Sequence, residues 1–191
     1  MRLFVAVEIN DAVRQMAGGI AEDLRAAIAP VLEVRWVPMA NLHLTVLFIG
    51  HVHDERAGSL LGALRPSLDL QPFDVEFGAC GVFPPAGPPR VLWIGLTRGL
   101  PDLALMHEEF NRRLQPFGFE PESRPFSAHL TLGRIKSAPR GAGRGVSEVL
   151  RRVPPRPTTS RVTRATIFRS HLSPTGPRYE PVAFAELKAG S

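Results

Sequence analysis

Two short segments of this chain repeat one pattern, Asn41-Leu42-His43-Leu44-Thr45-Val46 and Ser127-Ala128-His129-Leu130-Thr131-Leu132, with their histidines 86 residues apart. Each places His-apolar-Thr-apolar inside an apolar run with strand character. Side chains alternate along a strand, so His and Thr at i and i+2 share one face, and the intervening apolar residues share the other. Each segment therefore offers an imidazole and a hydroxyl side by side on a strand whose back is buried. With 6 His and 44% apolar residues, chance predicts roughly 0.05 such patterns in a chain of this length. A single strand histidine is most often structural; two copies imply two similar lobes whose strands face each other across a cleft.

The surrounding pattern supports an α+β fold rather than a regular strand–helix alternation. Strands are expected at Arg2 to Ile9, Val34 to Val37, Leu42 to Ile49, Phe73 to Phe77, Arg90 to Leu96, Phe126 to Ile135, Val162 to Leu172 and Tyr179 to Leu187. Helical spacing runs through Val13, Met16, Ile20, Leu24 and Ile28, with Asn10 as the cap. Further helices are expected over His53 to Leu64, Leu100 to Phe117 and Val146 to Val153. The Gly/Pro/Arg-rich stretch 137–157 reads as the most mobile segment.

Two His-Thr pairs suit a phosphodiester. One imidazole can activate the nucleophile while the other protonates the departing oxygen, and a free imidazole titrates near neutrality. The threonine hydroxyls can donate to non-bridging oxygens, and Arg134, five residues beyond His129, can add charge-assisted bonds. This chemistry requires no metal. A rival reading gathers His43, His51, His53 and Asp54 around a divalent ion, but it leaves the second segment without a role. His51 and His53 read instead as surface loop residues. There is no Gly-x-Ser-x-Gly elbow, no P-loop and no nucleophilic-lysine motif, with Lys136 and Lys188 the only lysines.

Cys80 is the only cysteine, which excludes an internal disulfide and a cysteine-built zinc site; it reads as a small buried hydrophobe. Trp36 and Trp93 read as core. No apolar run is long enough to span a membrane, and the N-terminus lacks a signal-peptide pattern, so a cytoplasmic protein is expected. Charge is divided: residues 1–123 carry 10 basic and 15 acidic side chains, residues 124–191 carry 13 and 3. The segment from Arg134 to Arg156, with Lys136, Arg140, Arg144, Arg151 and Arg152, could follow a phosphate backbone from the edge of the site.

The chain resembles the 2H phosphoesterases, and within them the RNA 2′,3′-cyclic phosphodiesterases also called 2′-5′ RNA ligases. The resemblance rests on Arg2-Leu3-Phe4-Val5-Ala6, Trp36-Val37-Pro38 with the first His-Thr segment, Gly81-Val82-Phe83-Pro84, Pro89-Arg90-Val91-Leu92-Trp93, Arg124-Pro125-Phe126 with the second segment and Arg134, and Ser170-His171 through Tyr179. It implies one bilobal domain over 1–191, with two pseudo-twofold-related, mostly antiparallel sheets, helices on the outer faces and a central cleft. It implies metal-independent opening of an RNA terminal 2′,3′-cyclic phosphate to a 2′-phosphate, with no cofactor. His43 would protonate O3′ as general acid and His129 would activate water as general base. Thr45, Thr131 and Arg134 would hold the phosphate, and Phe48 would stack on the terminal base, although ideal alternation puts Phe48 opposite His43. Ligation through a 2′-5′ linkage is the reverse-type reaction. The expected partner is RNA with a cyclic phosphate end, met by a monomer. Other readings are a binding module for nucleotides or RNA ends and a phosphoesterase of small cyclic nucleotides.

Overall fold

A computed structural model describes all residues except 29–31, 122–124, 140, 175 and 189–191. Arg124, Arg140 and Thr175, used in the sequence reading, lie outside the described residues. The elements, in chain order, are β1 (Arg2–Glu8), α1 (Asp11–Ile28), β2 (Glu33–Trp36), β3 (His43–His51), α2 (Asp54–Leu64), β4 (Phe73–Phe83), β5 (Val91–Arg98), α3 (Leu100–Leu114), β6 (Leu130–Ser137), α4 (Ala142–Arg152), β7 (Thr158–Val162), β8 (Arg164–His171) and β9 (Arg178–Glu186). The fold is α+β, and every strand pairing among the described strands is antiparallel.

The strands follow one another in the order β7-β4-β5-β6-β3-β1-β8-β9, with β2 added beside β6. The centre of this order is a narrow seam, at which β3 meets β6 through a single pair, Leu44 opposite Leu130. Outward from the seam the two halves correspond. β6-β5-β4-β7 on one side matches β3-β1-β8-β9 on the other, and β5-α3-β6-α4 repeats the chain order β1-α1-β3-α2 apart from β2, which is inserted between α1 and β3. The two sheets expected from the sequence are thus halves joined by one residue pair.

The helices are exchanged between halves. α1 leaves β1 yet packs with α4 near β7 and β4, while α3 leaves β5 yet packs with α2 near β3 and β9. Asn10 explains the start of α1. Its Oδ1 accepts from the Val13 N–H at 2.9 Å as a cap, while its Nδ2 donates to the Thr159 carbonyl at 2.9 Å, fastening the helix to β7. Val13, Met16, Ala17, Ile20, Leu24 and Ile28 then form one buried stripe. Leu44, Val46, Leu130 and Leu132 are buried on the helix-covered side of the sheet. Each large aliphatic side chain so buried contributes on the order of 1.5–3 kcal/mol.

Two expectations are revised. The strand read at Val162 to Leu172 is two strands, β7 and β8, because the chain breaks at Thr163 and the polar Thr158–Val162 run pairs with β4. The ladder of β6 begins at Leu130 rather than Phe126, so His129 sits on an extended lead-in immediately before the strand.

Candidate active site

The register at the seam brings the two repeated segments together. With Leu44 opposite Leu130 in an antiparallel pair, His43 falls beside the position of Thr131 and Thr45 beside that of His129. Adjacent strands lie about 5 Å apart, so imidazoles and hydroxyls alternate around a small square. All four side chains are half-buried on the face opposite Leu44 and Leu130.

Each imidazole is held in the same way. His43 Nδ1 lies 2.7 Å from the Asn41 carbonyl and His129 Nδ1 lies 2.8 Å from the Ser127 carbonyl. A carbonyl only accepts, so in both rings Nδ1 carries the hydrogen and Nε2 is turned to the site. His43 Nε2 is 3.0 Å from Thr45 Oγ1. Aromatic rings wall each imidazole. His43 has Phe4 at 5.0 Å and Tyr179 edge-on at 5.3 Å; His129 has Phe83 edge-on at 5.0 Å and Trp93 at 6.4 Å.

These walls shift the titration of both groups. Burial is the main cause holding His43 below the ordinary value of 6.5, opposed by its bond to Asn41 and reinforced by the charges of Arg14 and His129. Burial likewise lowers His129, opposed by Ser127 and reinforced by Arg134. The charge of His129 is the smallest of the causes acting on His43, which places the two rings within electrostatic range. Burial raises Tyr179, while Arg134 and Arg2 oppose the rise. The charge of Arg134 therefore acts on groups from both halves.

Phe48 and Arg134 arrive on this face by one device. In β3, Ala6 is opposite Thr45 and Val5 is opposite Leu47, leaving Val46 as an extra residue. In β6, Trp93 is opposite Thr131 and Leu92 is opposite Gly133, leaving Leu132 extra. Each β-bulge resets the alternation. Without it, a residue five positions after the histidine would point to the helices. With it, Phe48 and Arg134 both stand on the imidazole face and both are exposed. Phe48 is 6.4 Å from Phe4, the ring that touches His43. The objection from ideal alternation to Phe48 is removed.

Other residues enter to which the sequence reading gave no role at the site. Arg35 lies opposite Arg134 on β2 and doubles the positive charge at that corner. Arg14, from α1, donates to the Met39 and Leu42 carbonyls at 2.8 and 3.4 Å and steadies the approach to His43. Asn41 donates to the Pro177 carbonyl at 2.8 Å, docking the β8–β9 hairpin and hence Tyr179 against the first segment. Trp93 is not core: it is half-buried beside Thr131, seated on Gly81, where an added Cβ would lie 2.2 Å from the indole.

Some side chains stay apart. The rings of His51 and His53 contact each other at 5.5 Å, and among the described residues no group of three or more ligating side chains could hold a metal ion. Cys80 is pushed up to about 11, chiefly by burial, and is no nucleophile at neutral pH. In the basic segment, Lys136 pairs with Glu33, Arg152 with Glu148 and Arg156 with Asp23. α4 packs against α1 and β4, with Arg144, Arg151 and Arg152 exposed. No described helix is long and apolar enough to cross a membrane.

Comparison with known proteins identifies the family and the fold. The model of the LigT like Phosphoesterase family matches twice, over residues 6–93 and 94–179, so the first match holds the first His-Thr segment and the second match the second. An RNA 2′,3′-cyclic phosphodiesterase of Archaeoglobus fulgidus is 37% identical over 136 residues, 71% of this chain and 73% of its own. One from Thermotoga maritima is 29% identical over 191 residues, 100% and 97% of the two chains. Among solved structures, TT0787 of Thermus thermophilus superposes with a TM-score of 0.79 at 27% identity, covering 100% of both chains. E. coli LigT complexed with NADP+ gives 0.67 at 25% identity, covering 97% and 96%.

Proposed function

The chain belongs to the LigT-like phosphoesterase family, and from that premise we propose that it opens the 2′,3′-cyclic phosphate at an RNA end to a 2′-phosphate, using two histidines and no metal. The observation that carries the reading is the seam: two Nδ1-anchored imidazoles, each with its threonine, on one face of the sheet. The names of the relatives supply the substrate class.

In the proposed reaction, phosphorus sits between the two Nε2 atoms. His129, neutral, takes a proton from water as its oxygen bonds to phosphorus opposite O3′. His43, protonated, gives its proton to O3′ as the P–O3′ bond breaks, leaving the phosphate on O2′. Thr45 and Thr131 donate to the non-bridging oxygens, and Arg134 offsets the charge that grows there. Bound phosphate also favours the charged His43, countering the lowering that burial imposes in the free protein. Phe48 stacks on the terminal base. A 5′-hydroxyl in place of water would give a 2′-5′ linkage by the same proton transfers. Since each half contributes one histidine, residues 1–191 act as one unit.

The test is to incubate the protein with an RNA ending in 2′,3′-cyclic phosphate and assign the product's phosphate by NMR. A 2′-phosphate, formed undiminished in EDTA, is expected. A 3′-phosphate, or activity lost in EDTA and restored by zinc, would overturn the proposal.

A further inference from the structure

One half-buried imidazole takes no part in this chemistry, and its contacts are more specific than packing requires. His107, on α3, places Nδ1 2.8 Å from the Val46 carbonyl. The amide nitrogen of Asn111 lies 2.9 Å from His107 Nε2 and 3.1 Å from the His107 carbonyl. The carbonyls only accept, so Nδ1 donates to Val46 and the Asn111 amide donates to Nε2. The ring is thereby fixed in orientation, with Nδ1 turned to the Val46 carbonyl. Its flat face stacks on Phe126 at 4.5 Å and 15°. Val46 is the extra residue of the β3 bulge, and Phe126 lies three residues before His129.

The corresponding bulge in β6 shows what the contact replaces. There the extra residue's carbonyl, on Leu132, accepts from the backbone N–H of Val37, which follows β2, at 2.8 Å. β3 has no flanking strand at the equivalent edge among the described residues; it pairs with β1, and with β6 only at Leu44. The side chain of His107 occupies the place of a backbone donor.

We propose that His107 is a positioning residue: it holds the Val46 bulge that turns Phe48 onto the imidazole face, and through Phe126 it ties that bulge to the segment carrying His129. The proposal rests on the phosphodiesterase reading above, and it makes recognition of the terminal base depend on a residue that touches no substrate.

The test separates donor from ring. His107→Asn keeps an N–H where Nδ1 stands; His107→Phe keeps the stack on Phe126 and loses the donor. Substrates are an RNA ending in adenosine 2′,3′-cyclic phosphate and the same RNA ending in an abasic ribose cyclic phosphate. His107→Phe should raise KM for the adenosine end about tenfold, the scale of one lost base stack. kcat and the abasic end should be nearly unchanged, and His107→Asn should restore most of the loss. Equal losses on both ends, or Asn no better than Phe, would overturn the proposal. Calorimetry of the same variants with adenosine 2′-phosphate and with inorganic phosphate reads binding without turnover. Only the nucleotide should weaken, and equal weakening of both probes would also overturn it. A wild-type protein that opens neither RNA would sink the phosphodiesterase reading and leave this binding comparison to decide on His107. If His107→Phe does not fold, Asn111→Ala, which frees the ring, should shift KM the same way by a smaller factor; an unchanged KM would count against the role.

Discussion

The two halves of the sheet carry the same bulge at the same distance from the histidine and brace it differently. On β6 a strand lies alongside: Val37 supplies a backbone donor, and Gly133 lets β2 come close, since a Cβ there would lie 2.7 Å from Val34 Cγ1 and 3.3 Å from the Arg35 carbonyl. On β3 a helix lies alongside: His107 supplies the donor, and Leu47, buried, occupies the position equivalent to Gly133. The residue that each bulge delivers also differs, an aromatic ring on one side and a guanidinium on the other. The repeat keeps the imidazole–hydroxyl pairs equivalent and differentiates what flanks them. A symmetric pair of imidazoles can then act on an asymmetric substrate, with a base at one end and phosphate charge at the other.

The strictest way to break this comparison is to remove each histidine in turn. His43→Ala and His129→Ala should each lower turnover of cyclic phosphate at least ~100-fold, the scale of lost general acid–base catalysis. The double variant should fall little further, because either loss disables the pair. A single variant that retains near-normal turnover would break the equivalence of the halves. Next come the flanking residues. Arg134→Ala should cost about 100-fold in kcat, as loss of one transition-state donor does. Phe48→Ala should raise KM about tenfold, with kcat nearly kept, as loss of a stack does. Identical kinetic signatures from the two would mean that the bulges deliver equivalent, not complementary, groups.

A smaller effect is expected at the brace itself. Gly133→Ala must push β2 aside and should cost roughly 1–3 kcal/mol of stability, as overpacking does. It should also loosen Arg134 and leave Phe48 binding intact. Denaturant unfolding, with nucleotide binding measured alongside, reads both. A neutral Gly133→Ala would show that β2 does not need the close approach.

Much of this was legible in the chain because it is written in local spacing. His-x-Thr-x in an apolar run specifies a shared face; the 3.6-residue stripe and Asn10 specified α1 to the residue. What failed was whatever depended on a distant partner. Perfect alternation placed Phe48 on the wrong face because a bulge is visible only in the pairing with β1. β7 was missed because Thr158 to Val162 is polar and becomes a strand only beside β4. Trp93 read as core because its seat on Gly81 comes from across the β4–β5 pair. His107 carries no local motif, and its role follows only from where α3 crosses to the other half. The charge of the C-terminal third gave no sign of Arg35, which comes to stand beside Arg134 only through the pairing of β2 with β6.

The gentlest probe of the comparison is pH. Both imidazoles titrate below 6.5 in the free protein, with Arg14 reinforcing the lowering at His43 and Arg134 at His129. The proposed mechanism needs one ring charged and the other neutral, a form most populated between the two apparent pKa values of the pair. The kcat/KM optimum should therefore fall on the acid side of 6.5. Arg14→Gln should move it upward, since removing that positive charge eases protonation of His43. The same lowering acts on stability. As pH falls through 6.5, the unfolded chain takes up protons that the folded imidazoles refuse, so stability declines from 6.5 down to the folded pKa values. His43→Gln should flatten part of that decline. An acid-side decline identical in wild type and variant would mean that His43 is not held neutral by its surroundings, and the proposed acid would not depend on bound phosphate for its charge.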